Sequence, residues 1–117
     1  MFSAAVLHTI EEAGSSILIL TEGLEREEFL RSRLTRAEVS RQLIILGNSI
    51  AQLPPEAHAA MPEIGWDGWS TTGRQLSTPG SAQDDALWFA VISLVPATLM
   101  WLRVYRESQP GMFSFSA

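Results

Sequence analysis

Apolar positions fall at helical spacing through most of the chain, and the clearest run lies near its middle. In TRAEVSRQLIILGNSIAQLP (35–54), Val39, Leu43, Leu46, Ile50 and Leu53 recur at steps of four and three, which places them on one stripe of a helix. Ile44 and Ile45 widen that stripe on both flanks, so this helix is expected to meet more than one neighbour. Thr35 and Glu38 have the spacing of a capping box and predict its start. Pro54 and Pro55 predict its end, because neither offers an amide to the ladder and each disfavours helical angles in the residue before it.

Upstream, residues 2–22 predict a first helix, with Val6, Ile10, Ile17, Leu18 and Leu24 on its apolar side and Glu11 and Glu12 on its wet side. A glycine inside a helix costs about 1 kcal/mol relative to alanine, so Gly14 is read as the mark of a close helix crossing. Gly23 suits the left-handed residue past a helix end. Residues 25–32 predict a short helix anchored by Phe29 and Leu30. From 54 to 80 the prolines at 54, 55, 62 and 79 and the glycines at 65, 68, 73 and 80 predict short helices and turns, with Trp66 and Trp69 packing onto the bundle.

The last long element opens near 81–85, where Asp84 and Asp85 suit a helix N-terminus, and ends near Arg103 and Arg106. Its centre, ALWFAVISLVPATLMWL (86–102), is apolar nearly all round. As a helix it reaches roughly 25 Å, the short limit for a membrane span, and Ser93 and Pro96 interrupt it. The favoured reading is burial, with one face on the core and another on a second subunit through Trp88, Phe89, Met100 and Trp101. Pro96 is expected to bend the helix by removing the bond to the carbonyl of Ile92. The pattern therefore predicts an all-α fold, a four- to five-helix up-and-down bundle over residues 1–108. A tail, 109–117, follows; it contains Met112, Phe113 and Phe115 and has no periodicity.

Composition narrows the chemistry. At 117 residues a single domain is expected, and the absence of cysteine removes disulfide scaffolds, thiol catalysis and cysteine-ligated zinc. No basic leader precedes an apolar core at the N-terminus, so no signal peptide is expected and a cytoplasmic location is inferred. A net charge of −5 argues against broad phosphate binding. All eight basic residues are arginines, and five lie between Arg26 and Arg41 among Glu27, Glu28 and Glu38. A solvated, self-paired face is the expected arrangement, with an anion or partner patch as the alternative. His8 and His58 lack metal-site spacing, and nothing predicts a metal or a cofactor. The glycines between 65 and 80 are turn residues, with no lysine to make a phosphate loop.

Read end to end, residues 5–106 resemble the HepT-like proteins of the HEPN superfamily, small all-helical proteins often paired with an MNT-type nucleotidyltransferase in toxin–antitoxin modules. The resemblance rests on TEGLEREEF (21–29), TRAEVSRQLIILGNS (35–49), PEIGWDGW (62–69) and the final helix with Trp88 and Leu-Val-Pro (94–96). The family's signature is R-N-x-x-x-H-x-Y. It implies an arginine that holds the scissile phosphate of RNA, a histidine that moves protons, and a tyrosine that the partner adenylates. Here Arg74 falls on the arginine and Gln75 on the polar residue, whereas Pro79 stands at the histidine and Ser81 at the tyrosine. Asn48 stands where the family usually has glutamate. The resemblance thus implies the fold together with a degenerate site. It implies a protein acting by binding, as a homodimer and as partner of a nucleotidyltransferase. The alternatives are an active, metal-independent endoribonuclease toxin using Arg74, Gln75, Ser77 and Thr78, and a small membrane protein spanning 86–102.

Overall fold

The computed structural model describes residues 4–113. Six helices account for its architecture: α1 (Ala4–Thr21), α2 (Arg26–Arg31), α3 (Arg33–Gln52), α4 (Pro55–Ala60), α5 (Trp66–Leu76) and α6 (Ser81–Ser108), and a 3-10 turn follows at Pro110–Phe113. No strand occurs among the described residues. Phe115 lies outside them, as do the first two residues of the expected first helix.

α6 is the spine. Its 28 residues rise about 42 Å, and the molecule measures 42 × 25 × 23 Å, so this one helix sets the long dimension. Its most apolar 18 residues have a mean hydropathy of 1.7, and with its length that meets the requirement for a membrane span. Here different neighbours cover part of each half, and 39% of that apolar stretch is buried. The first half runs antiparallel to α5, with Gln83 beside Leu76 at one end and Thr98 beside Trp69 at the other. The second half runs antiparallel to α1, where Glu11 pairs with Arg106 and Gly14 meets Leu99.

Pro96 does not break α6. Residues Ala90–Leu94 form a π turn in which the amide of Val95 donates to the carbonyl of Ala90, five residues back. The wider turn shifts the ladder just ahead of the proline, which then occupies the first turn of the following α segment, where no amide is needed. The bend expected from sequence is thus expressed as a change of helical register. Leu94, at the end of the π turn, packs under the start of α5. A Cβ on Gly68 would sit 3.3 Å from the Leu94 Cδ1 atom, and one on Gly65 3.5 Å from it. A buried relay locks this contact: the indole of Trp69 donates to the Thr98 hydroxyl (2.9 Å), which donates to the Leu94 carbonyl (2.7 Å).

All five residues of the α3 stripe, Val39, Leu43, Leu46, Ile50 and Leu53, are buried, together with Leu7, Ile10 and Ile17 of α1 and Phe29 of α2. Of the two flanking residues, Ile45 packs against this core and Ile44 is exposed. The start of α3 corrects the sequence reading. Ser32 is the cap and the helix opens at Arg33, so Thr35 lies inside the first turn and its Oγ1 accepts from the Ser32 hydroxyl at 2.9 Å. Glu38 faces Arg41 and Gln42 instead of reaching back to an amide. A reach-back of that kind occurs at α2, where the amide of Glu25 donates to Glu28 Oε1 at 3.1 Å. Pro54 and Pro55 end α3 as expected, and Gly23 has φ +78°.

Gly14 marks the predicted crossing, since a Cβ there would lie 2.8 Å from Leu99 Cδ2 and 3.1 Å from Leu99 Cγ. Gly14→Leu is expected to destabilise the protein by about 1–3 kcal/mol through overpacking, measured by urea unfolding. Adding Leu99→Ala should recover part of that loss, because the two side chains compete for one space.

Candidate functional site

The residues aligned with the family signature lie at the elbow between α5 and α6. Arg74 and Gln75 occupy the last turn of α5, and both are exposed. Ser77 closes that helix: its amide donates to the carbonyl of Arg74 (3.2 Å) and the amide of Thr78 to that of Gln75 (3.1 Å). The hydroxyls of Ser77 and Thr78 also turn back, to the carbonyls of Gly73 (3.1 Å) and Arg74 (3.4 Å). The hydroxyls of Ser77 and Thr78 are therefore engaged in terminating α5. Pro79 follows as an extended break, and Gly80 turns the chain at φ +123°, a conformation that a side chain would strain. Ser81 is the first residue of α6 and is exposed.

Beside the elbow lies a cleft of about 470 Å³ between α3, α5 and the start of α6. Leu43, Trp69, Leu76 and Leu87 line it with apolar surface, and Ser70, Ser77 and Gln83 add uncharged polar groups. Asn48 lines the same cleft, as do Gly73 and Ser77, which flank Arg74 and Gln75 in sequence. The fold thus gathers Asn48, from α3, with the surroundings of the remnant motif. Gln83 was not singled out from sequence. Its amide nitrogen donates to the carbonyl of Leu76 (2.8 Å), which caps α5 from the next helix, and no local spacing announces such a bond.

Neither histidine joins this region. His58 stacks on Trp66 with ring centroids 4.3 Å apart, and the Trp66 indole donates to the Met61 carbonyl at 2.9 Å. His8 is exposed on α1, 3.2 Å from Glu12. Among the described residues no three histidine, aspartate or glutamate side chains gather as metal ligands. A larger groove of about 690 Å³ along α1 and α3 contains His8, Glu12 and Arg106, away from the elbow.

The arginine cluster is only partly self-paired. Arg41 forms the expected local pair with Glu38, whereas Arg26 reaches Asp85 (2.6 Å) and Arg36 reaches Asp84, both in the first turns of α6. The two aspartates serve as anchors for α2 and α3 as well as helix-start charges. Of the residues expected at a subunit contact, Trp88 is half-buried against Phe29 (5.9 Å between centroids) and Trp101 against Tyr105 (6.4 Å). Phe89 and Met100 remain 45% and 46% exposed, as does Ile92 at 56%, so these three leave apolar surface on α6 without cover.

These features define an all-helical bundle with an elbow site at which a cleft and an exposed arginine adjoin. Over 93 residues the chain is 27% identical to a Methanocaldococcus jannaschii protein named "Putative RNase", covering 79% of this chain and 77% of that protein. This distant relationship and the helical architecture fit a ribonuclease-like protein. No family model matches the chain. No solved structure matches it either.

The strongest electrostatic perturbation lies on α3. Hydrogen bonds from Arg41 (3.0 and 2.6 Å) and then Gln42 (3.1 Å) hold the Glu38 carboxyl down at about 2, from an ordinary 4.5. A carboxyl depressed on folding contributes stability above its unfolded value, and that contribution fades as pH falls from about 4.5 towards 2. Carboxyl-detected NMR titration should find Glu38 titrating well below the ordinary 4.5, and the shift should shrink in high salt because the pair is exposed.

Proposed function

We propose that this chain is a catalytically degenerate HepT-like protein that works by binding, as a cytoplasmic homodimer and as the partner of an MNT-type nucleotidyltransferase. The observation that carries the proposal is the chemistry of the elbow. Arg74 is exposed there and can hold a phosphate by charge-assisted hydrogen bonds, but an arginine stays protonated and cannot act as a base near neutral pH. Pro79 has no proton to give or take. Trp66, on which His58 stacks, precedes Arg74 by eight residues, or about 12 Å of helix, so that histidine does not substitute. Losing a proton carrier costs typically a factor of about 100 to 10,000 in rate. Ser81, at the position of the acceptor tyrosine, offers no phenol to adenylate.

The name of the archaeal relative favours a second reading, an active ribonuclease with a rearranged site. The engagement of the Ser77 and Thr78 hydroxyls in ending α5 weighs against it, because it occupies two of the four candidate side chains, and neither Arg74 nor Gln75 carries protons near neutral pH. The two readings separate on a structured RNA substrate. Wild type is expected to show no cleavage above background, and so is Arg74→Ala. Cleavage by wild type that Arg74→Ala abolishes would establish the enzyme reading. Cleavage only after Pro79→His with Ser81→Tyr would show that the scaffold survived the loss of chemistry.

The homodimer is supported by Phe89, Ile92 and Met100, large apolar side chains left outside the core on the most apolar helix. Trp88 and Trp101 flank them and are placed at the edge of the same contact. Light scattering at micromolar concentration is expected to give a dimer, and Phe89→Ser with Met100→Ser a monomer with its helical circular dichroism retained.

A further inference from the structure

We propose that Arg36 is a positioning residue that latches the α5–α6 elbow to α3 and thereby sets how Arg74, Gln75 and the mouth of the cleft are presented. The elbow's own hydrogen bonds end α5 and begin α6 but do not tie it to α3. Ser77, Thr78, Pro79 and Gly80 are all exposed and bury nothing, so packing does not determine their position. Three side chains bridge the gap instead. Gln83, in the first turn of α6, donates to the carbonyl of Leu76 at the end of α5, which ties the two helices across the turn. The guanidinium of Arg36 then reaches Gln83 Oε1 (3.4 Å) and the Asp84 carboxylate with the same Nη2 atom. One arginine from the first turn of α3 therefore holds both the residue that caps α5 and its neighbour in α6. Arg26–Asp85 adds a second tie from α2, but both of its side chains are more exposed than those of the Arg36–Asp84 pair, so it is screened more strongly.

The latch bears on the cleft through Gln83, which lines it opposite Ser40 of α3, one turn beyond Arg36. A partly exposed ion pair is a weak fastening. Its release loosens the elbow without unfolding the bundle, because the core residues of α3 and α6 lie elsewhere. Its use in recognition rests on the binding role proposed above, whereas the latch itself rests on geometry and is tested without RNA or a partner protein.

Amide hydrogen exchange on the full chain provides the test. In Arg36→Gln, the amides of Ser77, Thr78, Gln83 and Asp84, which bond within the elbow, are expected to exchange at least about fivefold faster, while those of Leu43 and Leu46 stay unchanged. High salt should produce the same local pattern in wild type. The swap Arg36→Asp with Asp84→Arg should restore protection, which a merely destabilised protein would not do. Unchanged exchange in the elbow of Arg36→Gln, or an equal rise across all helices, would overturn the latch. Should Arg36→Gln unfold, Gln83→Ala carries the same expectation at the same four amides.

Discussion

Pro96 cannot donate a backbone hydrogen bond, and α6 absorbs that loss in a π turn placed where α5 and α1 both meet it. The position matters because α6 is apolar on nearly every side and needs a different neighbour for each half. Leu94 closes the π turn and fits beneath Gly65 and Gly68, while its carbonyl anchors the Thr98–Trp69 relay. Leu99, one turn further on, fills the notch left by Gly14. Within a few residues the helix thus hands over from one partner to the other. The burial of Trp69 and the seating of α1 both depend on that local register.

The same helix determines what the elbow can do. Because α6 begins at Ser81, directly after Pro79 and Gly80, residues 77–80 form a tight reversal between two helices. The hydroxyls and amides of Ser77 and Thr78 are engaged in ending α5, and Arg74 stands exposed beside them. Next to it, Asn48 and four further uncharged polar side chains line a cleft together with apolar ones. An arrangement of this kind suits recognition better than acid–base chemistry.

Much of this was legible in the chain itself. The stripe from Val39 to Leu53, the crossing at Gly14, the left-handed Gly23 and the packing of Trp66 and Trp69 all follow from periodicity and local backbone chemistry, and each lies where expected. The misreadings share one cause, which is competition between partners. Thr35 and Glu38 have capping-box spacing, but Ser32 lies closer to the break after α2 and takes the cap, while Arg41 and Gln42 offer Glu38 a bidentate and a further hydrogen bond. Arg26 and Arg36 were expected to pair with nearby glutamates, yet they reach aspartates 59 and 48 residues away. Long-range choices of this sort carry no spacing signal. The site was half visible: the positions of Arg74, Gln75, Pro79 and Ser81 came from a family pattern, whereas Gln83 and the cleft arise only when α3 and α6 are brought together.

Ser32 closes α2 and opens α3 with no residue between them, its amide bonded to the carbonyls of Glu28 and Phe29 while its own carbonyl accepts from Arg36. A shared cap of this kind has no slack. Inserting one residue there would rotate α3 by about 100° relative to α2 and turn the stripe from Val39 to Leu53 out of the core. The exposed reversal at 77–80 can lengthen or shorten with far less disturbance to the buried side chains. Length variation across natural homologues should therefore collect at that reversal and be absent around Ser32, so the chain's evolutionary freedom lies in the exposed reversal and its rigidity at the junction of α2 and α3.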